Sequence, residues 1–493
     1  MALINVSNLT FSYDGSYDNI FEDASFQIDT SWRLGFVGRN GRGKTTFLNL
    51  LLGKYEYRGT ISLPCECTYF PFDAADMERT TLETAVGICP DIQYWEIVRE
   101  LSLLEVGEEV LSRPFATLSG GERAKALLAA LFLKENSFLL IDEPTNHLDM
   151  HGREVVSRYL NGKKGFILVS HDRSFLDGCI DHVLSINRVG IEVERGNFSS
   201  WLVNKERRDA FELAENKKLS GEIKRLEKTA RQKAAWSDRI ESAKYGTDKY
   251  KTGMVDRGFV GAQSARMMKR AKNVEARQQA AVDEKSKLLK NIETTETLKL
   301  HQPDYHTGRL MTLEKLSIYY GERRVCQDVS LTIEKGDRVA LLGRNGTGKS
   351  SILKLVVGED LAHSGKIYKG RQLAISYVSQ DTSFLRGSLA GFILESGIDE
   401  SLFKAILRKL DFSRTQFEKN LEDYSGGQKK KVLIARSLCE RSHLLVWDEP
   451  LNFIDVFSRI QIENLLLQYT PSIIFVDHDE VFCDKIATHR VVL

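Results

Sequence analysis

Two long stretches of the chain, residues 1–203 and 305–493, repeat one order of apolar and polar segments. Each begins with a short alternating segment, at residues 3–6 and 313–316, as expected for a half-buried strand. Continuous apolar runs then predict buried parallel strands, at residues 34–37, 138–141 and 166–169 in the first stretch and at 339–342, 444–447 and 473–476 in the second. Helical segments are predicted at residues 45–52 and 350–357. The pattern indicates two α/β domains, each with a parallel sheet wrapped by helices.

The segment between them, residues 204–304, has a different period. Its apolar residues recur every three or four positions in two parts, at Leu219, Ile223, Leu226, Ala230 and Ile240 and at Met267, Ala271, Val274, Ala281, Leu288 and Ile292. Neither part contains proline, and both are rich in Lys, Arg, Glu, Gln and Ala. These features predict an antiparallel α-helical hairpin linker of the coiled-coil type, with arms of roughly 35 residues that extend about 50 Å.

The tip of this hairpin, about residues 241–264, contains four glycines that interrupt the helical pattern. Aromatic and cationic residues are mixed there, which favours a contact surface over a passive loop. The residues expected to make the contact are Lys244, Tyr245, Lys249, Tyr250, Met254, Arg257 and Phe259.

Charge is distributed unevenly along the chain. The net charge is +1, yet residues 205–299 contain 24 Lys and Arg against 15 Asp and Glu, an excess of nine positive charges. A basic segment of this kind suits a polyanionic partner, and charge alone is equally compatible with a solvated helix.

Several bulk features suggest a cytoplasmic protein. No apolar run reaches the roughly 18 residues needed to cross a bilayer, and the first residues show no secretory signal pattern. The seven cysteines are scattered and odd in number, which fits a reducing compartment.

A glycine-rich phosphate-binding loop (P-loop) occurs twice, as Gly-Arg-Asn-Gly-Arg-Gly-Lys-Thr from Gly38 and Gly-Arg-Asn-Gly-Thr-Gly-Lys-Ser from Gly343. In such loops backbone N–H groups surround phosphates, the lysine binds the β- and γ-phosphates, and the hydroxyl residue binds Mg²⁺. The residues expected to bind ATP here are Gly38, Arg39, Asn40, Gly41, Gly43, Lys44, Thr45 and Thr46, together with Gly343, Arg344, Asn345, Gly346, Gly348, Lys349, Ser350 and Ser351.

Matched motifs follow each loop. Successive steps of 75, 23 and 29 residues lead from Lys44 to Ser119, from Ser119 to Asp142 and from Asp142 to His171. The second copy repeats these steps as 76, 23 and 30 residues, beginning at Lys349. In each copy, an apolar run is followed directly by an Asp-Glu pair. The aspartate can bind the metal and the glutamate can activate water. Asp142 and Asp448 are therefore predicted metal ligands, and Glu143 and Glu449 predicted catalytic bases.

The sequences Ser119-Gly-Gly-Glu and Ser425-Gly-Gly-Gln complete the motif set, and with them the chain resembles the ATP-binding cassette (ABC) ATPases. The resemblance implies two cassettes that face each other head to tail, with each ATP between one P-loop and the serine motif of the other cassette. Site one would combine Lys44, Thr45, Asp142, Glu143 and His171 with Ser425, Gly426 and Gly427; site two would combine Lys349, Ser350, Asp448, Glu449 and His478 with Ser119, Gly120 and Gly121. It also implies that His171 and His478 sense the γ-phosphate and that Tyr13 and Tyr320 stack on adenine.

Several positions depart from the pattern of the ABC family. The glutamine that helps to bind the metal is present as Gln380 but is replaced by Phe72 in the first cassette. Tyr424 replaces a leucine, and Leu-Asn-Phe-Ile-Asp replaces Thr-Asn-His-Leu-Asp in the second cassette. The two sites are therefore expected to differ.

Paired cassettes joined by a long basic linker, with Gly-Asn-Phe-Ser-Ser-Trp from Gly196, resemble the ABC-F proteins, and within them the resistance proteins of the Lsa and Vga kind. The resemblance implies an ATP hydrolase that uses ATP and Mg²⁺ and binds the 70S ribosome as a monomer. Its linker would reach 23S rRNA and peptidyl-site tRNA through the tRNA exit site and dislodge lincosamides, streptogramin A and pleuromutilins. A general ABC-F translation factor is the nearer alternative, and the ATPase subunit of an ABC transporter the remote one.

Overall fold

Two sheets form the framework of each terminal region in the computed structural model, which describes residues 2–13, 19–72, 76–146, 148–186, 190–244 and 302–493. The described residues up to Trp201 and those from Gln302 onward belong to one compact unit, and the chain beyond Trp201 begins a second unit. We call residues 2–201 the first cassette and residues 302–493 the second cassette. Contacts between the two cassettes therefore lie within one unit.

The first cassette contains a six-stranded sheet of order β5-β6-β7-β3-β8-β9, in which only β9 is antiparallel to its neighbour, and an antiparallel three-stranded sheet of order β2-β1-β4. Its strands are β1 Leu3–Phe11, β2 Phe21–Asp29, β3 Arg33–Val37, β4 Arg58–Ser62, β5 Glu66–Phe70, β6 Ser137–Asp142, β7 Phe166–Val169, β8 His182–Ile186 and β9 Ile191–Arg195. Its helices are α1 Lys44–Leu51, α2 Thr81–Ile88, α3 Tyr94–Leu103, α4 Gly120–Leu133, α5 Met150–Asn161 and α6 Arg173–Cys179.

The second cassette repeats this plan with a five-stranded parallel sheet of order β14-β15-β16-β12-β17 and an antiparallel sheet of order β11-β10-β13. Its strands are β10 Arg309–Tyr320, β11 Arg323–Glu334, β12 Arg338–Leu342, β13 His363–Lys369, β14 Ile375–Val378, β15 Leu444–Asp448, β16 Ile473–Val476 and β17 His489–Val492. Its helices are α8 Lys349–Val357, α9 Leu389–Ser396, α10 Glu400–Lys409, α11 Gly426–Cys439, α12 Val456–Tyr469 and α13 Glu480–Ile486.

The central strands are apolar because helices or the second sheet cover both of their faces. Every residue of β7 and of β16 is buried, as are the four residues 138–141 of β6. Apolar runs without alternation are what such doubly covered parallel strands require. The predicted parallel strands and the helices that follow the P-loops are confirmed, and their carboxyl ends carry the motif residues.

A helix of 47 residues, α7 Phe198–Lys244, leaves the first cassette. It begins before residue 204, the predicted start, because Asn197 Oδ1 accepts the Ser200 N–H at 3.1 Å and caps the first turn. Phe198 and Trp201 anchor this turn, since both are buried. The first arm is thus helical, whereas the predicted second arm and the tip residues from Tyr245 to Phe259 lie outside the described residues.

Among the described helices, none is both long enough and apolar enough to cross a membrane.

Candidate functional site

Each P-loop connects a central parallel strand to the helix behind it, β3 to α1 and β12 to α8. Gly43 and Gly348 end the loops at φ values of 93° and 88°, a region that residues with a side chain rarely adopt. Lys44 Nζ donates to the Gly38 carbonyl oxygen at 2.7 Å, and Lys349 Nζ donates to the Gly343 carbonyl oxygen at 2.8 Å. Both ammonium groups therefore lie over their own loops, where a phosphate would be enclosed.

The predicted metal ligands are paired in the same way in both cassettes. Thr45 Oγ1 donates to Asp142 Oδ2 at 3.1 Å, and Ser350 Oγ donates to Asp448 Oδ1 at 3.0 Å. A hydroxyl and a carboxylate are hard oxygen donors that suit Mg²⁺, which takes few protein ligands and completes its shell with phosphate oxygens and water. The described residues contain no group of three or more His, Cys, Asp or Glu positioned to hold a metal ion.

The two predicted catalytic glutamates share geometry but differ in electrostatics. His171 Nε2 lies 3.4 Å from Glu143 Oε1, and His478 Nε2 lies 3.4 Å from Glu449 Oε1. Burial, with a smaller contribution from the neighbouring Asp142, raises the pKa of Glu143 to about 8. Burial also acts to raise the pKa of Glu449, but contacts with His478, the charge of Lys430 and the hydrogen bond from Asn452 together outweigh it, and the pKa is lowered overall.

Hydrogen bonds to the glutamates account for a further difference. Glu449 Oε2 accepts the amide N–H groups of Gln380, at 2.8 Å, and of Asn452. In the first cassette Glu143 Oε1 is buried and has no hydrogen-bond partner among the described residues. Phe72, which stands where Gln380 does, is 38% exposed and has no polar group to offer. Instead, the Tyr69 hydroxyl donates to Asp142 Oδ2 at 3.0 Å. The two sites therefore differ in these contacts.

Both serine motifs start a helix that points its amino end at the facing cassette. Ser119 and Ser425 are the N-caps of α4 and α11, and their hydroxyl oxygens accept the N–H groups of Glu122 at 3.2 Å and Gln428 at 3.4 Å. Each helix opens with a pair of glycines, so backbone N–H groups are accessible beside the serine. A helix amino end of this kind attracts anions.

The second P-loop and the first serine motif line one cavity of about 1030 Å³. The second cassette contributes Tyr320, Asn345, Gly346, Gly348, Lys349, Ser350, Ser351, Gln380, Glu449 and His478, and the first contributes Ser119, Gly120 and Gly121. Asp448, bonded to Ser350, lies directly behind this lining. The structure therefore brings together the residues predicted for site two.

The first P-loop contacts the second cassette directly. Asn40 Nδ2 donates to the Phe453 carbonyl oxygen at 3.0 Å, and Arg39 Nη1 lies 2.6 Å from Asp411 Oδ1. A Cβ atom placed on Gly427 would be 3.3 Å from Asn40 Nδ2, so the second serine motif lies opposite this loop. The residues predicted for site one also face each other.

The two tyrosines expected to stack on adenine occupy equivalent positions. Tyr13 is 42% exposed and Tyr320 is 48% exposed. Their hydroxyl groups form hydrogen bonds with Thr46 at 2.9 Å and Ser351 at 3.1 Å, at the helix behind each P-loop. An exposed ring tethered beside each loop is consistent with the predicted role.

The cassette interface has two equivalent positions, and buried charged side chains pair across it at one of them. The guanidinium of Arg173 binds the carboxylate of Glu463 and lies 3.5 Å from Asp479 Oδ1, and all three side chains are at most 4% exposed. The equivalent residues in the other direction are Ser157 and Glu480, which line a cavity of about 400 Å³. The sequence motifs did not indicate this pairing, because its partners lie outside them.

Other residues at the site also lie outside the sequence motifs. Arg153 Nη1 crosses to the His478 carbonyl oxygen at 3.1 Å, and Glu105 lines the large cavity. Lys430, two residues after Gln428, is buried behind the second site. It is the middle one of three consecutive lysines, and nothing in the sequence distinguishes it from its neighbours.

Comparison with known proteins agrees with this geometry. The sequence is similar to ATP-binding protein Uup of Buchnera aphidicola subsp. Acyrthosiphon pisum, with 28% identity that covers 99% of this chain and 80% of the relative. It is similar to the ribosome protection protein VmlR of Bacillus subtilis, with 27% identity that covers 100% and 86%. It is also similar to the probable ATP-binding protein YheS of Escherichia coli K12, with 27% identity that covers 93% and 74%.

Solved structures show the same fold. The archaeal ribosome recycling factor aABCE1, in its complex with the ribosomal stalk protein aP1, superposes with a TM-score of 0.62 at 18% identity and covers 98% of this chain and 87% of that one. The model of the family described as "ABC transporter" matches residues 21–146 and 326–452, just over half of the chain. The chain therefore belongs to this family and contains its domain twice.

Proposed function

We propose that the chain is an ATP hydrolase of the ABC-F type that binds the 70S ribosome and protects it from antibiotics of the peptidyl-transferase centre. The cavity shared by Lys349 of one cassette and Ser119 of the other carries the ATPase part of the proposal, because it unites a phosphate-binding loop with a second anion-binding helix end. A nucleotide bound between this loop and this helix end would contact both cassettes and draw them together.

The residues of site two have complementary roles in this reaction. The N–H groups of the P-loop and Lys349 bind the phosphates, and the helix that begins after Ser119 neutralises charge from the opposite side. Glu449, held by Gln380 and Asn452, accepts a proton from the attacking water, while His478 contacts both Glu449 and the γ-phosphate. Mg²⁺, which Ser350 and Asp448 would hold, supplies charge neutralisation for the phosphates when bound.

Two observations support the ribosome as partner. VmlR, which is named a ribosome protection protein, aligns with the whole of this chain. The linker carries an excess of nine positive charges, and its first arm is a continuous helix, α7, suited to rRNA phosphates. In this proposal ATP-driven closure inserts the linker through the tRNA exit site, and its tip displaces the drug by shifting tRNA and 23S rRNA. Hydrolysis then releases the protein.

The combined substitution of Glu143→Gln and Glu449→Gln tests the ribosome part of the proposal. Slow hydrolysis should keep the cassettes closed, so the variant should co-sediment with 70S ribosomes when ATP is present and separate from them when it is absent. A matched control adds Lys349→Ala, which should abolish the ATP-dependent fraction. An ATP-loaded variant that stays free of ribosomes would contradict the proposal.

Deletion of residues 244–261 tests the linker tip. We expect the shortened protein to retain its basal ATPase activity and to lose the ability to protect cells or translation extracts from lincosamides. Undiminished protection would refute the role assigned to the tip.

A general ABC-F translation factor is the second candidate, because two relatives of similar identity, Uup and YheS, are named only as ATP-binding proteins. Growth of a deletion strain separates the two functions. A growth defect without any drug favours the translation factor, whereas a defect that appears only with the drug favours protection.

A further inference from the structure

A buried lysine in helix α11 contacts the two segments that carry the catalytic groups of site two. Lys430 is 2% exposed. Its Nζ donates to the Ser379 carbonyl oxygen at 2.8 Å and to the Asp448 carbonyl oxygen at 3.2 Å. Ser379 directly precedes Gln380, and Asp448 directly precedes Glu449. One ammonium group thus joins the backbone ends of β14 and β15.

The consequence of this connection is the alignment of two side chains. Gln380 Nε2 donates to Glu449 Oε2 at 2.8 Å, a bond that exists only if both strand ends keep their relative position. Charge-assisted hydrogen bonds are stronger than neutral ones, and Lys430 contributes two of them. Burial of a lysine is costly, and the two carbonyl groups, together with the nearby carboxylates of Asp448, Glu449, Asp477 and Asp381, offset that cost.

The first cassette lacks both donor side chains of this arrangement. Ala124, five residues after Ser119, stands where Lys430 does in the second cassette and has no donor group. Phe72 stands where Gln380 does, and Glu143 Oε1 has no hydrogen-bond partner among the described residues. The lysine and the glutamine are thus present together in one cassette and absent together from the other.

We propose that Lys430 is a positioning residue that fixes Gln380 and Glu449, and that site two consequently performs most of the ATP hydrolysis. The inference rests on the proposed function in one respect, the role of Glu449 as the catalytic base. It assigns unequal roles to the two sites: site two turns over, and site one, whose P-loop is tied to Phe453 and Asp411, contributes mainly to closure.

Turnover of each site can be measured separately in single Glu→Gln backgrounds. In Glu143→Gln, where site two hydrolyses, Lys430→Met should lower kcat about 10- to 100-fold with little change in KM, as displacement of a reacting group by about 1 Å does. In Glu449→Gln, where only site one hydrolyses, the same substitution should leave the smaller residual turnover unchanged.

A second variant guards against a general folding defect. Lys430→Gln retains a donor that can reach one of the two carbonyl groups, so its kcat in the Glu143→Gln background should be intermediate. Equal losses in both backgrounds, or no loss in Glu143→Gln, would overturn the positioning role. If neither Glu→Gln substitution lowers ATP turnover by itself, the role of the glutamates in the proposed function fails instead, so the two failures are distinguishable.

Discussion

Arg173 carries a positive charge that is buried at the interface between the cassettes. Its guanidinium is 4% exposed and is balanced by Glu463 and Asp479 of the other cassette. Arg173→Met would leave two buried carboxylates with one partner fewer, and breaking a buried ion pair costs about 3–5 kcal/mol. We expect a loss of this size in the free energy of unfolding, measured by urea denaturation.

A double-mutant cycle provides the control for this prediction. Glu463→Gln added to Arg173→Met should cost less than Glu463→Gln alone, because the partner has already been removed. Additive losses would show that the pair contributes nothing as a pair.

Sequence could not identify such residues, and the reason is physical. Lys44 and Glu449 were predicted because their neighbours along the chain define their chemistry. Arg173 and Lys430 depend on groups that lie far away in sequence, a carboxylate across the cassette interface and a carbonyl at a strand end. Only the folded chain shows which group faces each of them.

At the scale of elements, the serine motifs serve as helix caps as well as binding groups. Ser425→Ala removes the acceptor for the Gln428 N–H and should lower the free energy of unfolding by about 1 kcal/mol. It should also weaken ATP turnover at site one, measured in the Glu449→Gln background. Ser388→Ala is the matched control, since Ser388 caps α9 by accepting the Gly391 N–H at 3.1 Å. It should cost similar stability without affecting turnover.

The elements that follow a strong pattern were predictable, and those that depend on packing were less so. Buried strands such as β7 and β16 are continuous apolar runs, and α1 and α8 follow glycine loops of known geometry. The start of α7 was misplaced by six residues, because burial of Trp201 rather than periodicity decides where this helix is anchored. The domain limits remain predictions, and so does the helical hairpin in the part of the linker that follows Lys244.

At the scale of the whole molecule, the two P-loops differ in how far they engage the opposite cassette. Arg39 is paired with Asp411, whereas the equivalent acid, Glu105, binds His151 at 2.8 Å and Arg158 at 3.4 Å within its own cassette. Arg39→Met and Asp411→Asn should each raise the ATP concentration for half-maximal turnover of site one several-fold, again in the Glu449→Gln background. The double variant should be no worse than either single one, and a multiplicative effect would contradict the pairing.

The one-sided position of the Arg173–Glu463 pair also restricts which halves can associate. Two copies of the first cassette would bury Arg173 opposite Ser157, a cation without a counter-ion. Two copies of the second would bring Glu480 towards Glu463, and like charges repel in a dry interface. Only unlike halves satisfy both positions. If the cassettes were produced as separate polypeptides, they should form heterodimers and avoid homodimers.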